Sequence, residues 1–178
     1  MSVPIATPSQ TIGPYWHLIE YPEFADLTRF GASGEKVVLT GRVFDGDAAP
    51  VPDACVELWQ ASPEADDTFP GYGRAATDTD GRYRFTTLKP GPVPGRGNNL
   101  QAPHLAVAIF ARGLLKQLFT RIYFADEALN GSDPVLSSID DPARRRTLIA
   151  IRDDASRPPT YRFDIVLQGD AETVFFEI

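Results

Sequence analysis

Sixteen prolines and fourteen glycines are spread along the 178 residues and leave few windows long enough for a helix. Proline inside a helix removes a hydrogen bond and clashes with the preceding turn, and glycine weakens any regular element. Between these breaks the hydrophobic period is two. In TYRFDIVLQG, Tyr161, Phe163, Ile165 and Leu167 fall on one face and Arg162, Asp164 and Gln168 on the other. In DGRYRFTTL, an Asp80-Gly81 turn feeds Tyr83, Phe85 and Thr87, with Arg82, Arg84 and Thr86 opposite. Strands are also expected in EKVVLTGRVFDG, ACVELWQ, HLAVAIFA (104–111), KQLFTRIYFA (116–125) and TVFFEI.

Seven short strands with turn punctuation predict an all-β protein, an antiparallel two-sheet β-sandwich. One short helix is expected in DPARRRTLIA, with Asp141 as N-cap and Pro142 at the first helical position. A chain of this length suits one domain that buries roughly 70% of the surface its unfolded form exposes. The expected division is residues 35–178 for the sandwich and residues 1–34 for an extended N-terminal arm. The arm carries Pro4, Pro8, Pro14 and Pro22 with Tyr15, Trp16, Tyr21 and Phe24 between them. Its prolines forbid a long helix, and its aromatics require a surface to cover them. That surface is either its own domain or a partner chain.

The formal net charge is −7, which gives no electrostatic reason to bind nucleic acid or an anionic membrane. No apolar run reaches the ~20 residues a membrane span needs. The start, MSVPIATPSQ, has no basic and apolar leader pattern, and the single cysteine fits a reducing compartment. A cytoplasmic location is therefore expected. Cys55, inside ACVELW, reads as a small core hydrophobe.

Candidate chemistry is sparse. Only two histidines exist, His17 and His104, with no G-x-S-x-G and no phosphate- or dinucleotide-binding glycine motif. A metal site needs three or four convergent ligands, and no H-x-H, H-x-D or H-x-x-E pair is present. His104 reads as a strand-end histidine. Arg144, Arg145 and Arg146 read as the solvated face of the short helix. Arg121 differs, because it lies among apolar and aromatic neighbours in LFTRIYF. It is either paired with a carboxylate as a structural group or available to an anion or aromatic ring.

The stretches TPSQTIGPYWH, VELWQA, DGRYRFTTLKPGPVP, APHLAVAIFARG, LFTRIYFADE and YRFDIVLQGDAETVFFEI together resemble the intradiol ring-cleavage dioxygenases, from about residue 7 to the C-terminus. The arm motif and ETVFFEI resemble the accessory alpha chains of the family's two-chain members. Catalytic beta chains of that family hold a ferric ion, Fe(3+), with two tyrosines and an H-x-H pair after a K-P-G-P-Y-P loop. Here Val93 stands at the second tyrosine, and His104 matches the first histidine, but Ala106 replaces the second. The segment SPEADDTFPGYG is shortened and offers no first tyrosine; Tyr72 comes later. Gln101 stands where the catalytic chain has an arginine.

The resemblance thus implies a chain with no metal and no catalytic residue of its own, paired with a homologous iron-bearing beta chain. It further implies that Thr11, Gly13 and Tyr15 of the arm, with Arg121, help build that chain's pocket for a planar dihydroxybenzoate. A stand-alone sandwich binding module and an iron enzyme acting alone are the competing readings. Neither the arm nor the ligand losses favour them.

Overall fold

The structure is a computed structural model that describes residues 8–13, 15–153 and 155–177. Pro4 and Pro14 of the arm and the terminal Ile178 lie outside the described residues. Eleven strands follow in chain order: β1 (Lys36–Phe44), β2 (Cys55–Trp59), β3 (Tyr72–Ala76), β4 (Arg82–Leu88), β5 (Val93–Pro94), β6 (Leu100–Gln101), β7 (His104–Phe110), β8 (Leu118–Phe124), β9 (Ile149–Asp153), β10 (Thr160–Arg162) and β11 (Ile165–Val166). Two helices, α1 (Pro134–Ser137) and α2 (Pro142–Arg146), sit between β8 and β9.

The alternation survives folding where it was clearest. Tyr83, Phe85 and Thr87 of β4 are buried while Arg82 and Arg84 are exposed. Tyr161, Phe163 and Ile165 are likewise buried. The strands form one continuous sheet in the order β11-β1-β10-β9-β8-β7-β2-β3, with β4 also paired to β1 and a separate β5–β6 ribbon. Its two halves share one core: Leu39, Phe85 and Tyr161 from the β1 half meet Leu58, Val107 and Ile122 from the β7 half.

Three departures from the sequence reading have physical causes. The sheet is mixed, not antiparallel: β1 runs parallel to β10 and β11, and β8 runs parallel to β9. Parallel neighbours require a long connection, and the 24-residue segment 125–148 between β8 and β9 supplies one. There are two helices, not one. The first is capped by Asp133, whose carboxylate accepts from the Val135 and Leu136 N–H groups, with Pro134 at the first helical position. This repeats the Asp141-Pro142 signature of α2. TVFFEI forms no regular strand; an isolated bridge pairs Phe176 with Phe119.

The described residues of the arm are not extended throughout, contrary to the expectation, but turn twice. They make two single 3₁₀ turns, at Trp16–Ile19 and Pro22–Ala25. Trp16 is only 6% exposed and donates from Nε1 to the Asp53 carbonyl at 2.8 Å. Leu27 is fully buried, and its N–H donates to the Thr86 carbonyl on β4. Tyr15, Leu18, Ile19 and Tyr21, in contrast, point to solvent, with Tyr15 73% and Leu18 70% exposed. No helix among the described residues is long and apolar enough to cross a membrane.

Candidate functional site

Two places matter, and they lie at opposite ends of the β7–β8 hairpin. The first is the outer face around His104. His104 opens β7 and faces Tyr123 across the ladder, with ring centroids 5.4 Å apart. Its Nδ1 lies 2.8 Å from the Ala102 carbonyl oxygen, which can only accept, so Nδ1 carries the proton. Burial first, and the nearby Arg121 second, hold the imidazole below its ordinary pKa. Ala106 lies two residues on along the same face, directly opposite Arg121. Val93 pairs with Gln101 in the β5–β6 ribbon. Tyr72 donates to Glu57 Oε1 at 2.9 Å, accepts from Arg74 Nε and stacks on Trp59, so its hydroxyl is engaged elsewhere.

Arg121 ties this face together. Its Nη1 donates to Gln101 Oε1 at 2.6 Å and more loosely to the Tyr123 hydroxyl at 3.4 Å. Tyr123 donates in turn to Asp133 Oδ1 at 3.1 Å. Asp133 is fully buried and also accepts from the Ala102 N–H at 2.8 Å. Burial pushes the Tyr123 hydroxyl up to about 12. The direct partner of Arg121 is therefore an amide oxygen, not the carboxylate expected of a guanidinium in apolar surroundings. Asp133 is one link further on.

A ferric ion does not fit this face. A single histidine stands there, and a permanent cation lies beside it where further ligands would be needed. Among the described residues no cluster of three or more His, Cys, Asp or Glu side chains could hold a metal.

The second place is the turn that joins β7 to β8, where the arm lands. Thr11 Oγ1 donates to the Ala111 carbonyl and accepts from the Gly113 N–H, each at 3.0 Å. One hydroxyl thus clasps both sides of Arg112. Arg112 Nε pairs with Asp53 Oδ2 at 3.0 Å, and its side chain is 56% exposed. Asp53 also holds Trp16 through its carbonyl, so a single residue anchors both arm and turn. Gly13 has φ +76°, and an added Cβ would meet nothing within 4 Å. Backbone conformation, not space, demands glycine there.

The structure therefore places Thr11 on the Arg112 turn, while Gly13 makes no close packing contact there and Tyr15 is exposed. It does not bring Arg121 to that turn. Arg121 faces Ala106, five residues before Ala111, or about 16 Å along the strand. Sequence reasoning missed Arg112, treating Arg112-Gly113 only as the break between two strands. The available signal was its place in APHLAVAIFARG, beside a glycine whose φ is +91°.

Residues 25–169 match the family model described as Dioxygenase. The chain belongs to this family, the intradiol ring-cleaving dioxygenases. Within it, the chain is 41% identical to the protocatechuate 3,4-dioxygenase alpha chain of Pseudomonas putida, over 96% of both chains. It is also 41% identical to the alpha chain of Burkholderia cepacia, over 97% of both. The beta chain from Burkholderia cepacia is 36% identical over 76% of this chain and 66% of its own length. Among solved structures, the dioxygenase domain of a dioxygenase carbohydrate-binding fusion from Streptomyces sp. SirexAA-E superposes with a TM-score of 0.66. It is 29% identical over 92% of this chain and 98% of that one.

Proposed function

We infer that this chain serves as the alpha subunit of a protocatechuate 3,4-dioxygenase. It holds no iron itself. It pairs with a homologous beta chain that carries Fe(3+), and together they cleave protocatechuate with O2 to 3-carboxy-cis,cis-muconate in the cytoplasm. Residues 1–34 act as the arm that packs on the partner and residues 35–178 as the sandwich domain. Thr11, Gly13 and Tyr15 contribute to the partner's pocket. Thr11 clasps the Arg112 turn, and this suits the Arg112 guanidinium, alongside Arg121, to reach a substrate carboxylate.

The observation that carries this reading is the division of the arm. Trp16 and Leu27 are fastened to the chain's own core, while Tyr15, Leu18, Ile19 and Tyr21 lie exposed on the same short segment. A partner burying them forms an interface of the permanent, apolar kind, which exceeds ~2,000 Å². Co-expression with a beta chain that carries the Tyr, Tyr and H-x-H ligands tests it. The expected product is a stable complex with iron in the beta chain alone, whereas the isolated chain lacks stoichiometric iron and the visible tyrosinate-to-iron band. Iron near one per isolated chain, or failure to form a complex, refutes the assignment.

A further inference from the structure

A groove of about 780 Å³ opens beside the arm, over the outer face of β1, β4 and β10. Its wall includes Pro22 and Ala25 of the arm, and four arginines line it: Arg42, Arg82, Arg84 and Arg162. The ladder registers put them side by side. Arg84 and Arg162 flank Thr40 on neighbouring strands, and Arg82 sits directly opposite Arg42. Like charges facing each other across a ladder destabilise it.

Arg82 is neutralised by Asp80 and Asp78. The guanidinium groups of Arg42, Arg84 and Arg162 have no hydrogen-bond or ion-pair partner among the described residues. The chain carries seven more negative than positive charges, so carboxylates to pair them were not scarce. Three carboxylates do line the groove: Glu20, Asp78 and Asp164. Asp78 Oδ1 accepts from the Asp80 and Arg82 N–H groups, and Asp164 Oδ1 from the Arg42 N–H at 3.0 Å. Asp78 and Asp164 thus brace the backbone and leave the three forks open to the groove.

Strand spacing sets the size of what the forks can hold. Arg84 and Arg162 are two strands apart, about 10 Å between Cα atoms, and Arg42 lies on the strand between them, about 7 Å along from Thr40. Side chains of that length can converge from such a triangle on one small molecule. We propose that this groove is a second binding site, distinct from the Arg112 turn, for a small polycarboxylate anion. Each guanidinium is a planar fork matched to a carboxylate, and three forks select a ligand with several carboxylates over one with a single group. The reaction inferred above makes such a molecule, because opening a dihydroxybenzoate between its hydroxyls yields three carboxylates. That identity of the natural ligand rests on the functional reading; the site does not.

Calorimetric titration of the purified alpha–beta complex with tricarballylate at low salt tests the site directly. Arg84 and Arg162 are exposed, so Arg84→Gln with Arg162→Gln should fold normally and keep wild-type turnover per iron. The expected result is saturable wild-type binding, weakened at least 10-fold in the double variant, with no binding of acetate at the same concentration. Equal binding by the two proteins, or none by wild type, overturns the proposal. Binding of inorganic phosphate with tricarballylate excluded overturns the polycarboxylate assignment. Should the chain fail to pair with a beta chain, the functional reading falls, and the same titration on the chain alone still decides the groove.

Discussion

Arginine at 112 and arginine at 121 should fail in opposite ways. Arg121→Gln removes one short charge-assisted bond to Gln101 and a loose one to Tyr123. Hydrogen bonds involving a charged group are worth about 1.5–3 kcal/mol, and the partly exposed setting argues for the lower end. At about 2–4 °C per kcal/mol for a domain of this size, the melting temperature should fall by roughly 3–8 °C. Turnover per iron in the assembled complex should stay near wild type. Arg112→Gln loses only a half-exposed ion pair to Asp53, worth about 0–1 kcal/mol, so stability should barely change. If its guanidinium reaches the substrate or a pocket residue of the beta chain, about 1.5–3 kcal/mol of transition-state binding is lost, which is about 10- to 150-fold in kcat/KM. The assay is steady-state oxygen uptake normalised to bound iron, with a thermal melt on the same preparations. The inverse pattern, activity lost at 121 with stability intact and no kinetic effect at 112, would refute the grouping of Arg112 with the arm.

Three simpler expectations follow from the fold. Gly41→Ala should cost about 3 kcal/mol or more in a urea titration, because a Cβ there would sit 1.7 Å from the Phe163 carbonyl oxygen that Tyr83 already binds; a loss under about 1 kcal/mol contradicts the packing. Burial pushes the Cys55 thiol up to about 12, so native protein at pH 8 should resist Ellman's reagent until denaturant is added, and prompt stoichiometric labelling contradicts that. The folded-state pKa of His104 is lowered, chiefly by burial, so its contribution to stability is present above the unfolded value of about 6.5 and is lost as pH falls below it. His104→Gln should therefore flatten the melting temperature between pH 7 and 5 relative to wild type, and parallel profiles would count against it.

What was legible in the sequence was whatever local periodicity encodes. Tyr83, Phe85, Tyr161, Phe163 and Ile165 announce a buried face because a strand alternates regardless of its neighbours. Strand direction is different. Nothing in Thr160–Arg162 says that it lies parallel to β1, since register and direction come from how long connections route the chain. Helix α1 was legible in principle, because Asp133-Pro134 repeats the cap of α2. Only the second of the two signatures is followed by a basic, helix-favouring run, which makes it the plainer one.

The candidate site divides along the same line. The residues at Val93 and Ala106 can be read one at a time from the sequence. Which polar groups then meet cannot be read that way. Buried polar atoms on this face must be satisfied by one another. Here Arg121 crosses from β8 to Gln101, Tyr123 passes the connection to Asp133, and Asp133 closes it on the Ala102 N–H and the start of α1. That network gives Arg121, among apolar neighbours, an amide oxygen of its own chain as direct partner in place of a carboxylate. The Arg112 turn has no such internal demand. It is held from outside by Thr11 and Asp53, with its guanidinium more than half exposed, which is the arrangement expected of a group that serves a surface shared with another chain.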